Sequence, residues 1–522
     1  MTEDAALAGG AGTADLAAAA GDALAARLDG STVRRAPASI AAVVCRGRVV
    51  AVSTHGEPRR DGAVTAESTI FRIASMSKSF LGATALALRD DGLLDLHAPA
   101  TEYVPELSAT RFGDAGAAVT LDALLSNRGG LAEDNAWGDR QLGASRAELA
   151  AVVSAGLTLS TQPGTAYQYS NIGISLIGRA IETVTGREVE AVVRDRMLDP
   201  LGLTGTRAAA DLYPAGADLA AGFRTFDDGE TFAQEPYVGS GALACIGSLF
   251  STVRDIALWA DFLGSAFGDE PAGNAVLSAS SRRELQTART LIAGGAASGG
   301  RELDGLGYGY GLVVEHDRRF GRIVQHAGGL PGFSSHMRWQ TATGIGVIVF
   351  GNSDAFGAGS IATDILSDVL SRVDAPAAVV RPWPQTLAAA RRIDELVAAG
   401  RPLSDAQALL AANVLMDVPE SVRADRLSAA LAEVGPVRRD AAPFAERIVA
   451  AADQSALRWV VPCERGALVC DVHLVGLHEP VVQEFTVHVA GEGGSKPRDE
   501  TARVTDHHRV ALDRHLLDRH SL

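Results

Sequence analysis

Phe71-Arg72-Ile73-Ala74-Ser75-Met76-Ser77-Lys78-Ser79-Phe80 is the stretch on which the reading of this 522-residue chain turns. Lysine is nearly absent: of 47 Lys and Arg residues, only Lys78 and Lys496 are lysine. A guanidinium stays protonated in proteins, whereas a desolvated amine can release its proton near neutral pH. A proton acceptor beside a serine hydroxyl is therefore a role open to lysine and closed to arginine. Residues i and i+3 share one face of a helix, so Ser75 and Lys78 face the same way. Leu81, Ala85 and Leu88 continue at helical spacing, which predicts a helix beginning at Ser75 with its positive end on the serine oxygen.

The composition narrows the field. A hydrophobic content of 47% with 21% charged residues is that of a globular protein, and the length predicts more than one domain. A formal charge of −16 argues against nucleic acid and anionic membrane surfaces as partners. No run of apolar residues is long enough to span a bilayer. The acidic start Met1-Thr2-Glu3-Asp4 lacks the basic and apolar regions of a secretory signal, so a cytoplasmic location is expected. Cys45, Cys245, Cys463 and Cys470 are few and scattered, which fits a reducing compartment.

Punctuation by turn residues and periodicity gives the layout. Residues 1–35 are expected to be a flexible, partly helical leader. Ala38–Cys45 and Val49–Ser53 read as a hairpin turned at Arg46-Gly47-Arg48. A long helical insert follows the Ser75 helix, from about Leu93 to Leu306. Within it, Ser251-Thr252-Val253-Arg254-Asp255 opens a hydroxyl-capped amphipathic helix. Strands are expected at 310–315, 322–325, 334–339 and 345–350, then a helix at 361–373. Strands from both ends around a helical insert predict an α/β (α+β) domain over 36–374 with one antiparallel sheet flanked by helices. Prolines mark a linker at 375–384. A smaller α+β domain over 385–522 follows, with helices near 385–400, 404–417, 419–434 and 441–454, three strands between 457 and 489, and a polar His/Arg-rich tail.

Two further segments complement Ser75 and Lys78. Tyr167-Gln168-Tyr169-Ser170-Asn171 follows a Pro163-Gly164 turn and precedes a helix expected at 174–185. Arg322–Phe333 is a strand running through His326 into Gly328 and Gly329, where backbone can approach a ligand closely. With Ser-x-x-Lys, Tyr169-Ser170-Asn171 and His326-Ala327-Gly328 in this order, the chain resembles the penicillin-recognising serine hydrolases. That family includes class C β-lactamases, D-alanyl-D-alanine carboxypeptidases, D-aminopeptidases and esterases. Val104-Pro105-Glu106-Leu107, Gly129-Gly130-Leu131 and Pro200-Leu201-Gly202-Leu203 are similar too, and the likeness covers about residues 38–373.

The resemblance implies a β-lactamase-like fold and a serine hydrolase working through an acyl-enzyme, without cofactor or metal. Ser75 would be the nucleophile; Lys78 and Tyr169 would share its proton, either being the resting base. Asn171 would position Lys78 and a substrate oxygen. The backbone N–H groups of Ser75 and Gly329, beside Gly328, would form the oxyanion hole. Two departures stand out. Asn127-Arg128 replaces a common His-Thr, and His326 replaces the lysine of true β-lactamases. An imidazole is mostly neutral near pH 7, becoming a carboxylate anchor only on acidification. The expected substrate is thus a small-molecule ester, amide or peptide without an obligatory carboxylate. An acyltransferase with the same site and a weakly active scaffold protein are the alternatives, and the oligomeric state is left open.

Other clusters have plainer readings. Asp134, Asn135, Trp137, Asp139 and Arg140 either line the substrate mouth or form a capped loop around a packed indole. Cys463, Cys470, His473 and His478 match no usual zinc spacing. His507 and His508 read as solvated tail residues.

Overall fold

The computed structural model describes residues 13–268, 275–293, 301–491 and 510–512. They divide between Ala375 and Pro376 into two compact units. The first is built on an eight-stranded antiparallel sheet. Its strands are β1 (Ala38–Cys45), β2 (Arg48–Gly56), β3 (Thr290–Leu291), β4 (Leu303–Tyr308), β5 (Val313–Asp317), β6 (Gly321–Leu330), β7 (Phe333–Gln340) and β8 (Ile345–Gly351). The order across the sheet is β2-β1-β8-β7-β6-β5-β4-β3, so the expected hairpin inserts beside the last strand and the chain termini of the domain share one sheet. The β1–β2 turn is tight because Arg46 and Gly47 both take positive φ, 48° and 74°. Seven of the eight residues of β1 are buried, as a central strand covered on both faces requires.

Helices cover both sides. α1 (Thr13–Arg27) packs on α5 (Ala358–Arg372), and α5 packs on β7 and β8; α4 (Val253–Gly264) packs on β1, β2, β7 and β8. Thr252 caps α4 by accepting the Asp255 N–H, as its sequence predicts. Between sheet and insert lies α2 (Ser77–Asp90), buried at every position from Ser77 to Leu88. It starts two residues later than the spacing predicts, because Ala74–Met76 forms a 3₁₀ turn that carries Ser75. Phe80 stacks on Trp259 of α4 at 4.0 Å between ring centroids, and the Trp259 indole donates to Ser79 Oγ at 3.0 Å.

The strand expected at 310–315 is half turn. Gly311, at φ 79°, sits at the β4–β5 hairpin, where a Cβ would lie 2.3 Å from the Lys78 carbonyl oxygen. Only glycine lets the hairpin reach the backbone of α2.

Residues 13–27 correct the expectation of a flexible leader. Leu16, Ala19, Ala20, Ala23 and Leu24 form one buried helical face, while Asp15, Asp22 and Arg27 point to solvent. Ion pairs Arg27–Asp364 (3.5 Å) and Asp22–Arg372 (3.3 Å) border the contact with α5. Small alanines permit this close helix packing, which interruption by charges conceals in the sequence. Residues 1–12 of the leader lie outside the described residues.

The second unit packs α6 (Pro384–Ala398) on a four-stranded antiparallel sheet of β9 (Ile448–Ala450), β10 (Ala456–Pro462), β11 (Ala467–Val475) and β12 (Val481–Val489). Buried Asp394 of α6 accepts from the Trp459 indole at 2.9 Å and pairs with Arg447. The helix expected at 441–454 is instead a short turn at Phe444–Arg447 running into β9, whose Ile448 pairs with Trp459. The 404–417 region is a 3₁₀ segment, Leu403–Leu409, followed by one helical turn, Asn413–Asp417. Cys470 faces the core on an alternating strand, and Cys463 is buried. Of the tail, only 510–512 are described, paired in parallel with Ala378–Val380; His507, His508 and Lys496 lie outside the described residues.

The packing of α1 gives a direct test. Ala20→Leu or Ala23→Leu should lower the stability of the first unit by about 1–3 kcal/mol through overpacking. Asp22→Ala should change it by less than about 1 kcal/mol. Urea denaturation would measure both, and a mobile segment would leave all three silent.

Candidate active site

Ser75 Oγ lies 2.8 Å from Lys78 Nζ. The lysine is fully buried, and its amine makes one other hydrogen bond, donating to the Ile246 carbonyl at 3.0 Å. Among the described residues no carboxylate bonds it. Burial therefore dominates and pulls the Lys78 ammonium down to about 7, with nearby Asp139 and Asp134 opposing. Tyr169 hydrogen-bonds Ser75, and its ring centre lies 5.1 Å from Lys78 Nζ. Burial drives the Tyr169 phenol far above its ordinary range, so it stays protonated.

The backbone before Ser75 is held under strain. Ala74 takes φ 48°, an unfavourable region for a residue with a side chain, costing about 1–3 kcal/mol. Ser335 Oγ donates to the Ile73 carbonyl and Ser77 Oγ to the Ala74 carbonyl, each at 2.7 Å, which clamps the segment. Gly328 of β6 presses on the same place, where a Cβ would fall 2.3 Å from Ile73 O. Gly329 is exposed with nothing near its Cβ direction. β5 pairs with β6 only as far as Gln325, so the edge from His326 to Leu330 is free of that neighbour beside Ser75.

Asn171 departs from the expected role. It begins α3 (Asn171–Thr185), one turn earlier than the spacing predicts, and its amide donates to Asn135 Oδ1 at 3.2 Å, not toward Lys78. Asp134 fixes this end of α3 by accepting the N–H groups of Asn171 (2.6 Å) and Ile172 (2.9 Å) and the Ser170 hydroxyl (2.9 Å). Trp137 is 42% exposed, so the indole of this cluster is not packed inside the loop.

His326 is buried with Nδ1 2.6 Å from the Ala327 carbonyl and Nε2 3.1 Å from the Tyr308 hydroxyl. Nδ1–H donates and Nε2 accepts, which describes a neutral ring. Desolvation, with Lys78 adding repulsion, lowers its pKa to about 3. Protonation on mild acidification, expected from an ordinary histidine, is thereby removed.

Three contributors lie outside the three motifs; two of them, Asn127 and Arg128, are the departure already noted. Asn127 accepts the Ser170 N–H at 3.1 Å through its side chain and the Gln168 N–H at 2.8 Å through its carbonyl, so it steadies the Tyr169 loop. Arg128 pairs with Asp122, which also accepts from Tyr310 at 2.6 Å. Tyr308 packs against Tyr167, Tyr169 and His326. The Gly307-Tyr308-Gly309-Tyr310-Gly311 run is the sequence signal that could have pointed to it.

Residues 22–368 match the beta-lactamase family, and the chain belongs to it. A D-aminopeptidase of Gluconobacter oxydans is 27% identical over 306 residues, 55% of this chain and 50% of that protein. The chain spans about half the length of the curated relatives it matches. The octameric penicillin-binding protein homologue from Pyrococcus abyssi shares the fold with TM-score 0.55 at 17% identity, covering 91% of this chain and 99% of that one. EstCE1, a hydrolase with promiscuous acyltransferase activity, superposes with TM-score 0.56 at 17% identity over 68% of this chain and 99% of its own. Among the described residues, no helix is long and apolar enough to cross a membrane.

The two glycines should separate under substitution. Gly328→Ala forces backbone away from Ile73 and should lower both thermal stability and Ser75 reactivity, the latter by about tenfold or more. Gly329→Ala enters open space and should leave the melting temperature unchanged. Thermal melts and labelling rates with a fluorophosphonate would compare them.

Proposed function

We propose that the protein is a serine hydrolase that cleaves esters, amides or peptides through an acyl-enzyme on Ser75. The observation that carries this reading is the 2.8 Å contact between Ser75 Oγ and a fully buried Lys78 amine that no carboxylate among the described residues bonds. Above about pH 7 the amine is neutral. One N–H is committed to Ile246 O, which leaves the lone pair to take the Ser75 proton. Lys78, not Tyr169, is then the resting base, since the phenol keeps its proton.

Oγ attacks the substrate carbonyl as its proton moves to Lys78. The resulting oxyanion faces the Ser75 N–H, in the 3₁₀ turn that leads into α2, and the Gly329 N–H on the free edge of β6; each such donor is worth about 2.7–4 kcal/mol. Collapse breaks the bond to the leaving group. The proton held by Lys78 is returned, with the Tyr169 hydroxyl as the relay, to that leaving oxygen or nitrogen. Water then attacks the ester on Ser75, Lys78 takes its proton, and the acid leaves with Ser75 O–H restored. An alcohol or amine in place of that water would make the same site an acyltransferase. Neutral His326 offers no charge to a substrate carboxylate, which favours substrates lacking one.

A p-nitrophenyl ester should add one acyl group to the wild type by intact mass and none to Ser75→Ala; label on another serine would contradict the assignment. Lys78→Arg keeps the charge without a releasable proton, so acylation should fall by about 100-fold or more. For wild type, kcat/KM on p-nitrophenyl acetate should rise with pH and level off, inflecting near 7 as Lys78 loses its proton. The ratio of nitrocefin to p-nitrophenyl acetate turnover should stay flat between roughly pH 5 and 8. A rise on the acid side would mean that His326 does gain a proton there.

A further inference from the structure

The lateral support of β6 changes at His326. Tyr308 ends β4 opposite Val313, Val313 opens β5 opposite Gln325, and the pairing of β5 with β6 stops there. From His326 to Gly329 this side of β6 is therefore held by side chains instead of by a strand. Tyr308, wholly buried, bridges to β6 at that point: its hydroxyl lies 3.1 Å from His326 Nε2. The other ring nitrogen, Nδ1, lies 2.6 Å from the Ala327 carbonyl oxygen.

These two contacts fix each other. A carbonyl oxygen only accepts, so Nδ1 carries the proton, and Nε2 of the neutral ring is left as the acceptor that the Tyr308 hydroxyl fills. Without that hydroxyl the proton is free to sit on Nε2, and the bare Nδ1 would then turn its lone pair onto the Ala327 carbonyl and repel it. Buried histidines are not bonded by default in this sheet. His336, opposite Ala327 on β7, has no partner at either ring nitrogen among the described residues. Ala327 also stands two residues before Gly329. Along a strand, residues i and i+2 turn their N–H and C=O toward the same edge. The carbonyl that His326 holds and the N–H offered to the oxyanion thus lie side by side.

We infer that Tyr308 is a positioning residue: by fixing the tautomer of His326 it anchors the Ala327 carbonyl, and with it the Gly329 N–H that faces the oxyanion. Tyr308 touches no reacting atom itself. This rests on the acyl-enzyme reading of Ser75. It goes beyond that reading by giving the buried histidine a part in holding a backbone donor, under the control of a tyrosine two strands away.

Tyr308→Phe keeps the ring against Tyr167 and Tyr169 and removes only the hydroxyl, which separates this role from packing. The acylation rate of the p-nitrophenyl acetate burst should fall about tenfold, the scale of a displaced donor. His326→Asn sets an amide nitrogen near the Nδ1 position and leaves Tyr308 nothing to orient. In that background Tyr308→Phe should cost less than about twofold. Equal losses in the two backgrounds mean that the residues act independently and overturn the proposal. Nitrogen NMR of the wild type needs no Tyr308 variant to fold. Among the 12 histidines, the one whose signals His326→Asn removes should show Nδ1–H and a bare Nε2. A proton on Nε2 alone overturns the proposal as well. An acyl burst on Ser75 with either adverse result shows that positioning alone has failed; no burst removes the acyl-enzyme reading and this inference with it.

Discussion

A lysine amine kept from water, bonded to no carboxylate among the described residues and within reach of one serine hydroxyl, is the constraint on which the first unit depends. Burying that amine would be costly if it stayed charged, and the cost is what brings its pKa toward neutrality. The surroundings serve this. α2 is sealed along its whole first three turns, Gly311 brings a hairpin onto the Lys78 carbonyl, and Ile246 offers the amine a neutral acceptor in place of an anion.

The same economy explains the second layer around the site. Tyr169 is held by its loop, the loop by Asn127, and the start of α3 by the Asp134 carboxylate. His326 is turned inward onto Tyr308 and the Ala327 carbonyl. The charges that reach Lys78 come from the Asp134 and Asp139 carboxylates, and the balance shifts when the amine gives up its proton. His326, kept neutral by burial, adds no charge to that balance.

Much of this was legible beforehand because it repeats with a period. The 38–53 hairpin alternates and turns on Arg46-Gly47, and the helix at 253–264 announces its cap at Thr252. The proximity of Ser75 and Lys78 follows from helical spacing alone. Other parts leave no such trace. β4, Leu303-Asp304-Gly305-Leu306-Gly307-Tyr308, is too rich in glycine to read as a strand and exists through its pairing with β5. The alanine face of α1 looks indifferent until α5 covers it. Phe444–Ala450 reads as helix by propensity, but pairing of Ile448 with Trp459 makes it a strand edge. The Ile246 carbonyl is backbone, and no residue type betrays it. The 134–140 cluster was legible as a polar group, but which of its acids acts on Lys78 was not.

The scarcity of lysine that first drew attention to position 78 also makes its charge state measurable. With lysine labelled at the ε-carbon, the protein should give two NMR signals, and Lys78→Arg identifies which belongs to Lys78. A pH titration should then show the Lys78 signal moving near pH 7. A Lys78 signal that moves only above about pH 10, as for an ordinary lysine, would mean that the amine is charged throughout the working range and cannot be the base this account requires.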